Sequence, residues 1–124
     1  MSTIMVVDDD DLYRACVVEM VSRTGCDVLE ASGGSQALHL LENCRPSGVI
    51  LDLLMPELDG FQVMDAVRRS ERLRNLPIIV LTAKDLSRAE LDFLAGRGAT
   101  VLSKGPESRE SLIAALAKPR GERS

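Results

Sequence analysis

The chain has 124 residues, 45% of them hydrophobic, and carries a formal net charge of −4. That length suits one domain able to bury roughly two thirds of its unfolded surface. The acidic balance argues against nucleic acid as a direct ligand, because phosphate backbones attract basic surfaces. No stretch approaches the roughly 20 apolar residues of a membrane span, and no signal-peptide pattern opens the chain. The cysteines Cys16, Cys26 and Cys44 are odd in number and lack metal-type spacing. They read as small core or half-buried residues of a reduced, cytoplasmic protein.

Short apolar runs alternate with helical patterns throughout. The first strand is expected over about 3–8 and a helix over about 11–24, capped by Asp10 or Asp11 and stopped by a left-handed Gly25. The second strand spans about Asp27 to Glu30. The next helix, about 34–44, places Ala37, Leu38 and Leu41 on one face. Pro46 and Gly48 lead into a third strand at Val49, and a helix over about 60–70 turns Met64 and Val67 inward. Pro77 opens the fourth strand. Ser87-Arg88-Ala89-Glu90 has the form of a capping box, with Leu86 and Leu91 spaced as a hydrophobic staple. A fifth strand at about 100–103 and a helix near 107–118 follow. Residues 1–118 thus form the domain, and 119–124 a polar tail. Strict alternation implies an α/β, doubly wound, five-stranded parallel sheet, most simply of order 2-1-3-4-5, with five helices, a flavodoxin-like fold.

Four strands end in a polar group: Ile4-Met5-Val6-Val7 in Asp8-Asp9, Val49-Ile50-Leu51 in Asp52, Ile78-Ile79-Val80-Leu81 in Thr82, and Val101-Leu102-Ser103 in Lys104. Parallel strands share one carboxyl edge, where open α/β sheets bind their ligands. In the expected order, Asp8, Asp9 and Asp52 flank the switch point. Taken singly, each has a plainer reading: Asp8 to Asp11 as a loop or helix cap, Asp52 as a turn residue, Thr82 as a strand residue, Lys104 as a surface lysine. Together they make a metal-assisted phosphoryl site. The carboxylates suit Mg²⁺, Asp52 suits covalent catalysis, and Thr82 with Lys104 suits a phosphoryl group's oxygens.

Val6-Val7-Asp8-Asp9, Leu51-Asp52 with Met55-Pro56 and Asp59-Gly60, Leu81-Thr82-Ala83, and Lys104 resemble the response-regulator receiver domain of two-component signalling over about residues 3–118. The resemblance implies that Asp52 accepts a phosphoryl group from the phosphohistidine of a histidine kinase or histidine phosphotransfer protein. It also implies a phosphorylated state that alters binding to a downstream protein not identified by the sequence. It makes Asp9 and Asp52 direct ligands of Mg²⁺, joined by the backbone carbonyl of Leu54, with Asp8 acting mainly through a metal-bound water. It places Thr82 and Lys104 on the phosphoryl oxygens, with small Ala83 beside the pocket. Only self-catalysed phosphorylation and dephosphorylation are implied, not turnover of a substrate. The chain is then a stand-alone regulator or a receiver cut from a longer protein.

Two departures bear on the switch. Gly105 follows Lys104 where the family often has Pro, so the Lys104–Gly105 bond is expected to be trans. Val101 stands at the switch position, where the family usually has an aromatic ring that moves with the threonine. The stretches Leu81–Leu86 and Leu102–Gly105 look closest to the terminal receivers of hybrid histidine kinases. Two other classes compete. A phosphatase of the haloacid dehalogenase type would need an acid at position 54, which is Leu; a phosphorylation-independent docking module would not need the five polar side chains that are present. Among the remaining candidates, His39 is expected on a solvent face, Phe61 and Phe93 in packing roles, and Arg68, Arg69, Arg72 and Arg74 at a wet helix end, with part of a partner surface as the alternative.

Overall fold

In the computed structural model, which describes residues 2–117, each apolar run that precedes a polar group is a strand. The order along the chain is β1 (Thr3–Val7), α1 (Asp11–Ser22), β2 (Asp27–Ala31), α2 (Gly34–Leu41) and β3 (Gly48–Leu51). It continues with α3 (Gly60–Arg69), β4 (Ile78–Thr82), α4 (Arg88–Gly96), β5 (Thr100–Ser103) and α5 (Ser108–Ala117). The five strands pair in parallel in the order β2-β1-β3-β4-β5, as the alternation predicts.

Side chains alternate across a strand, and the sheet accordingly has two cores. Met5, Val7, Val49, Leu51, Ile78 and Val80 face Ala37 and Leu41 of α2, Val63, Met64 and Val67 of α3, and Leu94 of α4. Ile4, Val6, Ile50 and Leu81 face Val17, Met20 and Val21 of α1 and Leu112 and Leu116 of α5. Helices on both faces explain why the central strands are apolar without interruption.

The caps follow local chemistry. Asp10 caps α1 by accepting from the amides of Leu12 and Tyr13, and Gly25, with φ 91°, ends the turn after it. Ser87 and Glu90 form the expected reciprocal box at α4, and Asp59 and Gln62 form a second one at α3. Leu86 packs on the core while Leu91 stays exposed. The helix expected to reach residue 44 stops at Leu41. Glu42 and Asn43 donate to carbonyls three residues back, a tighter turn, and the Arg72 guanidinium takes the carbonyls of Leu41 and Cys44. Position 118 and the tail over 119–124 lie outside the described residues.

Two surface expectations change. Cys16 is exposed, unlike half-buried Cys26 and Cys44, and all three are free thiols. The arginines after α3 are not uniformly solvated. Arg69 is exposed and pairs with Asp65 at 3.1 Å, but Arg68 is half buried and donates to the carbonyls of Arg97, Arg74 and Leu76. A helix-end arginine there ties loops together, which composition cannot reveal. His39 is exposed as expected. Phe61 and Phe93 meet edge to face, with centroids 5.8 Å apart.

Candidate functional site

Register brings the polar groups to one edge. Val7 pairs with Leu51, so Asp8 and Asp52 leave adjacent strands side by side, and the Asp52 amide donates to the Val7 carbonyl at 3.0 Å. Thr82 pairs with Ser103, which delivers Lys104 one residue beyond, its amide donating to the Thr82 carbonyl at 2.9 Å. The hydrophobic runs bury these strand ends almost completely: Asp8 and Asp52 are each 4% exposed and Thr82 is 2% exposed.

The charges are interlocked. Carboxylate oxygens of Asp8, Asp9 and Asp52 lie within 4.8 Å of one another, with Asp9 the exposed member. Lys104 Nζ sits 2.9 Å from Asp8 Oδ2 and 3.5 Å from Asp52 Oδ2, and 4.2 Å above the Tyr13 ring. The other oxygen of Asp8, Oδ1, accepts from the Asp10 amide at 2.9 Å. Burial pushes the Asp52 carboxyl up from its ordinary pKa; the Lys104 charge opposes that and Asp8 adds to it. Burial disfavours the Lys104 ammonium, but the hydrogen bond it donates to Asp8 and the two negative charges win, raising its pKa. Lys104 therefore stays charged, the state needed to neutralise an anion.

The Asp52 loop is held by close approach. A Cβ on Gly60 would lie 2.4 Å from the Asp52 carbonyl oxygen and 2.7 Å from Leu53 Cα; one on Gly34 would lie 2.4 Å from the Leu58 carbonyl oxygen. The loop between them includes Glu57 at φ 66°. Leu54, two residues after Asp52, is 51% exposed at a cleft of about 520 Å³ shared with Asp59, Phe61, Lys84 and Glu90. On the other rim, Thr82 Oγ1 accepts from the Lys84 amide at 3.1 Å and Ala83 is exposed. Val101 is half buried against the core. No peptide bond among the described residues is cis, so the Lys104–Gly105 bond is trans as expected.

All the side chains singled out at the strand ends therefore meet at one edge. Several supporting residues gave no signal of their own. Tyr13 stacks under Lys104, and Arg14 donates to the Asp8 carbonyl at 2.7 Å while pairing with Asp11 and Glu30. Glycine clamping of the loop was foreshadowed only by Asp59-Gly60 itself.

Residues 4–117 match the profile of the response regulator receiver domain. The chain is 30% identical to Protein PilG of Pseudomonas aeruginosa over 91% of its length and 83% of PilG. It is 44% identical over 82 residues to the response regulator MprA of a Mycobacterium species, covering 66% of this chain but 35% of MprA. Among solved structures, the Vibrio cholerae chemotaxis protein CheY4 superposes with a TM-score of 0.83 at 29% identity, covering 94% of this chain and 96% of CheY4. A response regulator receiver protein from Pseudomonas putida gives a TM-score of 0.85 at 25% identity, over 95% of this chain and 97% of the other. The chain belongs to the response regulator receiver domain family, and its role is that of a phosphoacceptor in two-component signalling. Receivers of this family are signalling phosphoacceptors rather than turnover enzymes, bind Mg²⁺ at an acidic pocket, and interact with histidine kinases or phosphotransfer proteins. The particular resemblance to terminal receivers of hybrid kinases is not singled out by these relatives. The chain spans most of PilG but only about a third of the longer regulators it matches. No helix among the described residues is long and apolar enough to cross a membrane.

Proposed function

We propose that Asp52 is the phosphoacceptor and that Thr82, Ala83 and Lys104 form the phosphoryl pocket, within a receiver unit spanning residues 1–118 followed by a polar tail. The observation that carries this reading is a buried Asp52 carboxylate with one ammonium at 3.5 Å and two further carboxylates beside it. In the reaction, an Asp52 carboxylate oxygen forms a bond to phosphorus as the phosphorus–nitrogen bond of the donor phosphohistidine breaks. The imidazole nitrogen leaves with the bonding pair and takes a proton from solvent. Lys104 and the Thr82 hydroxyl meet the phosphoryl oxygens and stabilise charge there.

The donor set fits Mg²⁺, which favours carboxylate and carbonyl oxygens with retained waters. Asp9 and Asp52 would hold the ion with the Leu54 carbonyl. Asp8, one oxygen engaged by Lys104 and the other by the Asp10 amide, suits a role through water. When bound, the ion supplies charge neutralisation for the acidic cluster and the phosphoryl oxygens. Exposed Asp9 can be reached from solvent, while Asp8 and Asp52 are shielded.

Phosphorylation and dephosphorylation are self-catalysed on this reading, and the phosphorylated form acts by changing contact with a downstream protein in the cytoplasm. Leu54 and Val101 shape its lifetime and readout. The position that a haloacid dehalogenase-type phosphatase would fill with an acid is held by an exposed Leu54, which supports phosphoacceptor chemistry over phosphatase turnover. Intact mass after phosphoramidate and Mg²⁺ treatment is the test. Native protein should gain the mass of one phosphoryl group and Asp52→Ala should not. Equal gain in both proteins removes Asp52 from the role.

A further inference from the structure

The edge of the sheet opposite Asp52 carries its own concentration of charge. A cleft of about 430 Å³ opens there beside the start of β4 and the turn after α4, lined by Arg68, Arg74, Asn75, Pro77, Gly96 and Arg97, among others. Three guanidinium groups around one opening run against a net charge of −4 for the chain.

Their commitments are incomplete. Arg68 donates through Nε to the Arg97 carbonyl at 2.9 Å, and through Nη1 to the carbonyls of Arg74 and Leu76 at 3.0 and 2.8 Å. Its Nη2 donates to no atom of the described residues, and no carboxylate among them pairs with it. Arg14, whose side chain is mostly buried, differs: it meets Asp11 and Glu30 at 2.9 and 3.0 Å. Burial accordingly lowers the Arg68 pKa with no acid to oppose it. Arg74 reaches Glu71 only at 3.7 Å; Arg97, whose guanidinium lies 3.6 Å over the Phe93 ring and donates to the Phe93 carbonyl at 3.4 Å, reaches Asp65 only at 3.8 Å. The Asn75 carboxamide has no hydrogen-bond partner among the described residues.

A clamp accounts for part of this. The Arg97 carbonyl, at the C-cap of α4, carries part of the negative end of the helix dipole, which explains Nε, and Nη1 ties down the carbonyls of Arg74 and Leu76 before β4. The clamp leaves Nη2 open to solvent at a cleft that Arg74, Arg97 and Asn75 also line.

We propose that this cleft binds a small polyanion through phosphate or carboxylate oxygens, held by Arg68 Nη2, Arg74 and Arg97. Guanidinium groups match such oxyanions in pairs of parallel hydrogen bonds. Partial burial reduces screening of the attraction. The rim is open, since a Cβ on Gly96 or Gly98 would meet nothing within 4 Å, and clefts of this size hold small ligands. The site does not depend on Asp52 being the phosphoacceptor.

The test is amide and arginine Nε NMR on the unphosphorylated protein without Mg²⁺, titrated with pyrophosphate and separately with citrate at constant ionic strength. Saturable shifts should centre on Asn75, Arg97, Gly98 and the Arg68 Nε–H, leaving Asp8 to Asp10 unmoved. Arg74→Glu should weaken binding about tenfold or more, the equivalent of one charge-assisted hydrogen bond. Its melting temperature should not change, because Arg74 is exposed and loosely paired. Asn75→Asp should act in the same direction and covers the case of a poorly folded Arg74 variant. Saturation by either anion supports the site, and a preference between them assigns phosphate or carboxylate as the ligand group. Shifts that never saturate, that centre on Lys104, or that survive both substitutions overturn the proposal.

Discussion

Replacing Gly60 with Ala tests whether the Asp52 loop is held by close backbone approach. The new Cβ would lie 2.4 Å from the Asp52 carbonyl oxygen, 2.7 Å from Leu53 Cα and 2.9 Å from Leu53 Cδ2. Two of these are backbone atoms and cannot rotate away, so α3 and the loop must separate. That separation also stretches the hydrogen bond from the Gly60 amide to the Leu53 carbonyl, already 3.2 Å. Overpacking costs about 1–3 kcal/mol, and a weakened hydrogen bond adds up to about 1 kcal/mol. The better helix propensity of Ala returns at most about 1 kcal/mol. The net destabilisation is therefore about 1–3 kcal/mol, or roughly 4–12 °C in melting temperature for a domain of this size. Gly96→Ala is the control, since its Cβ meets nothing within 4 Å and should leave the melt unchanged or slightly higher. Thermal unfolding followed by circular dichroism reads both, and phosphoramidate labelling of Gly60→Ala should slow as Asp52 shifts. If Gly60→Ala melts at or above the parent protein, the close-approach argument is wrong.

Mg²⁺ should stabilise the fold by relieving repulsion among Asp8, Asp9 and Asp52. At about ten times its Kd the gain is about 1.4 kcal/mol, roughly 5 °C, and Asp9→Ala should lose most of it; an equal rise in both proteins takes Asp9 out of the metal site. Leu54→Asn should speed loss of the phosphoryl group, because an apolar side chain cannot orient an attacking water. One added hydrogen bond of about 0.5–1.5 kcal/mol corresponds to roughly 2- to 12-fold, and decay by phosphoprotein gel or mass spectrometry at an unchanged or slower rate counts against the idea. Beryllofluoride with Mg²⁺ should change hydrogen exchange mainly over residues 83–88 and the start of α4. The Lys84 amide there is bonded to Thr82 Oγ1, and Lys84 Nζ lies 3.3 Å from Glu90, the partner of the Ser87 cap. Changes centred on Val101 and β5, with 83–88 silent, would reverse that account of the switch.

The expectation of a readout through the β4–α4 loop rests on what Val101 lacks. It is half buried against the core and β-branched, so its rotamers are restricted and it has no ring to carry a signal. The loop after Thr82 instead links the pocket to α4 by a chain of short contacts: Thr82 to the Lys84 amide, the Lys84 side chain to Glu90, and Glu90 to the Ser87 amide. Glu90 lies below its ordinary pKa, chiefly through the Ser87 backbone hydrogen bond, with Lys84 adding to it.

Periodicity and punctuation alone determined the strands and the strand-end residues, because a parallel sheet converts alternation in the chain into one shared edge, while the strand order was only the simplest of the doubly wound arrangements. Asp8, Asp9, Asp52, Thr82 and Lys104 were legible for that reason: each lies within two residues of the end of an apolar run. The caps at Asp10 and Ser87 were legible because they are bonds between near neighbours in sequence. What the tertiary structure decided involves partners far apart in the chain. Lys104 reaches Asp8 across 96 positions, Tyr13 lies beneath it, and Arg68 and Arg72 staple loops that a composition reading left in water. The helix α2 ends at Leu41 rather than 44 where Arg72 donates to the carbonyls of Leu41 and, beyond the helix, Cys44. Local patterns report bonds within a turn or a pleat; only packing of the folded chain reports which distant groups share a cavity.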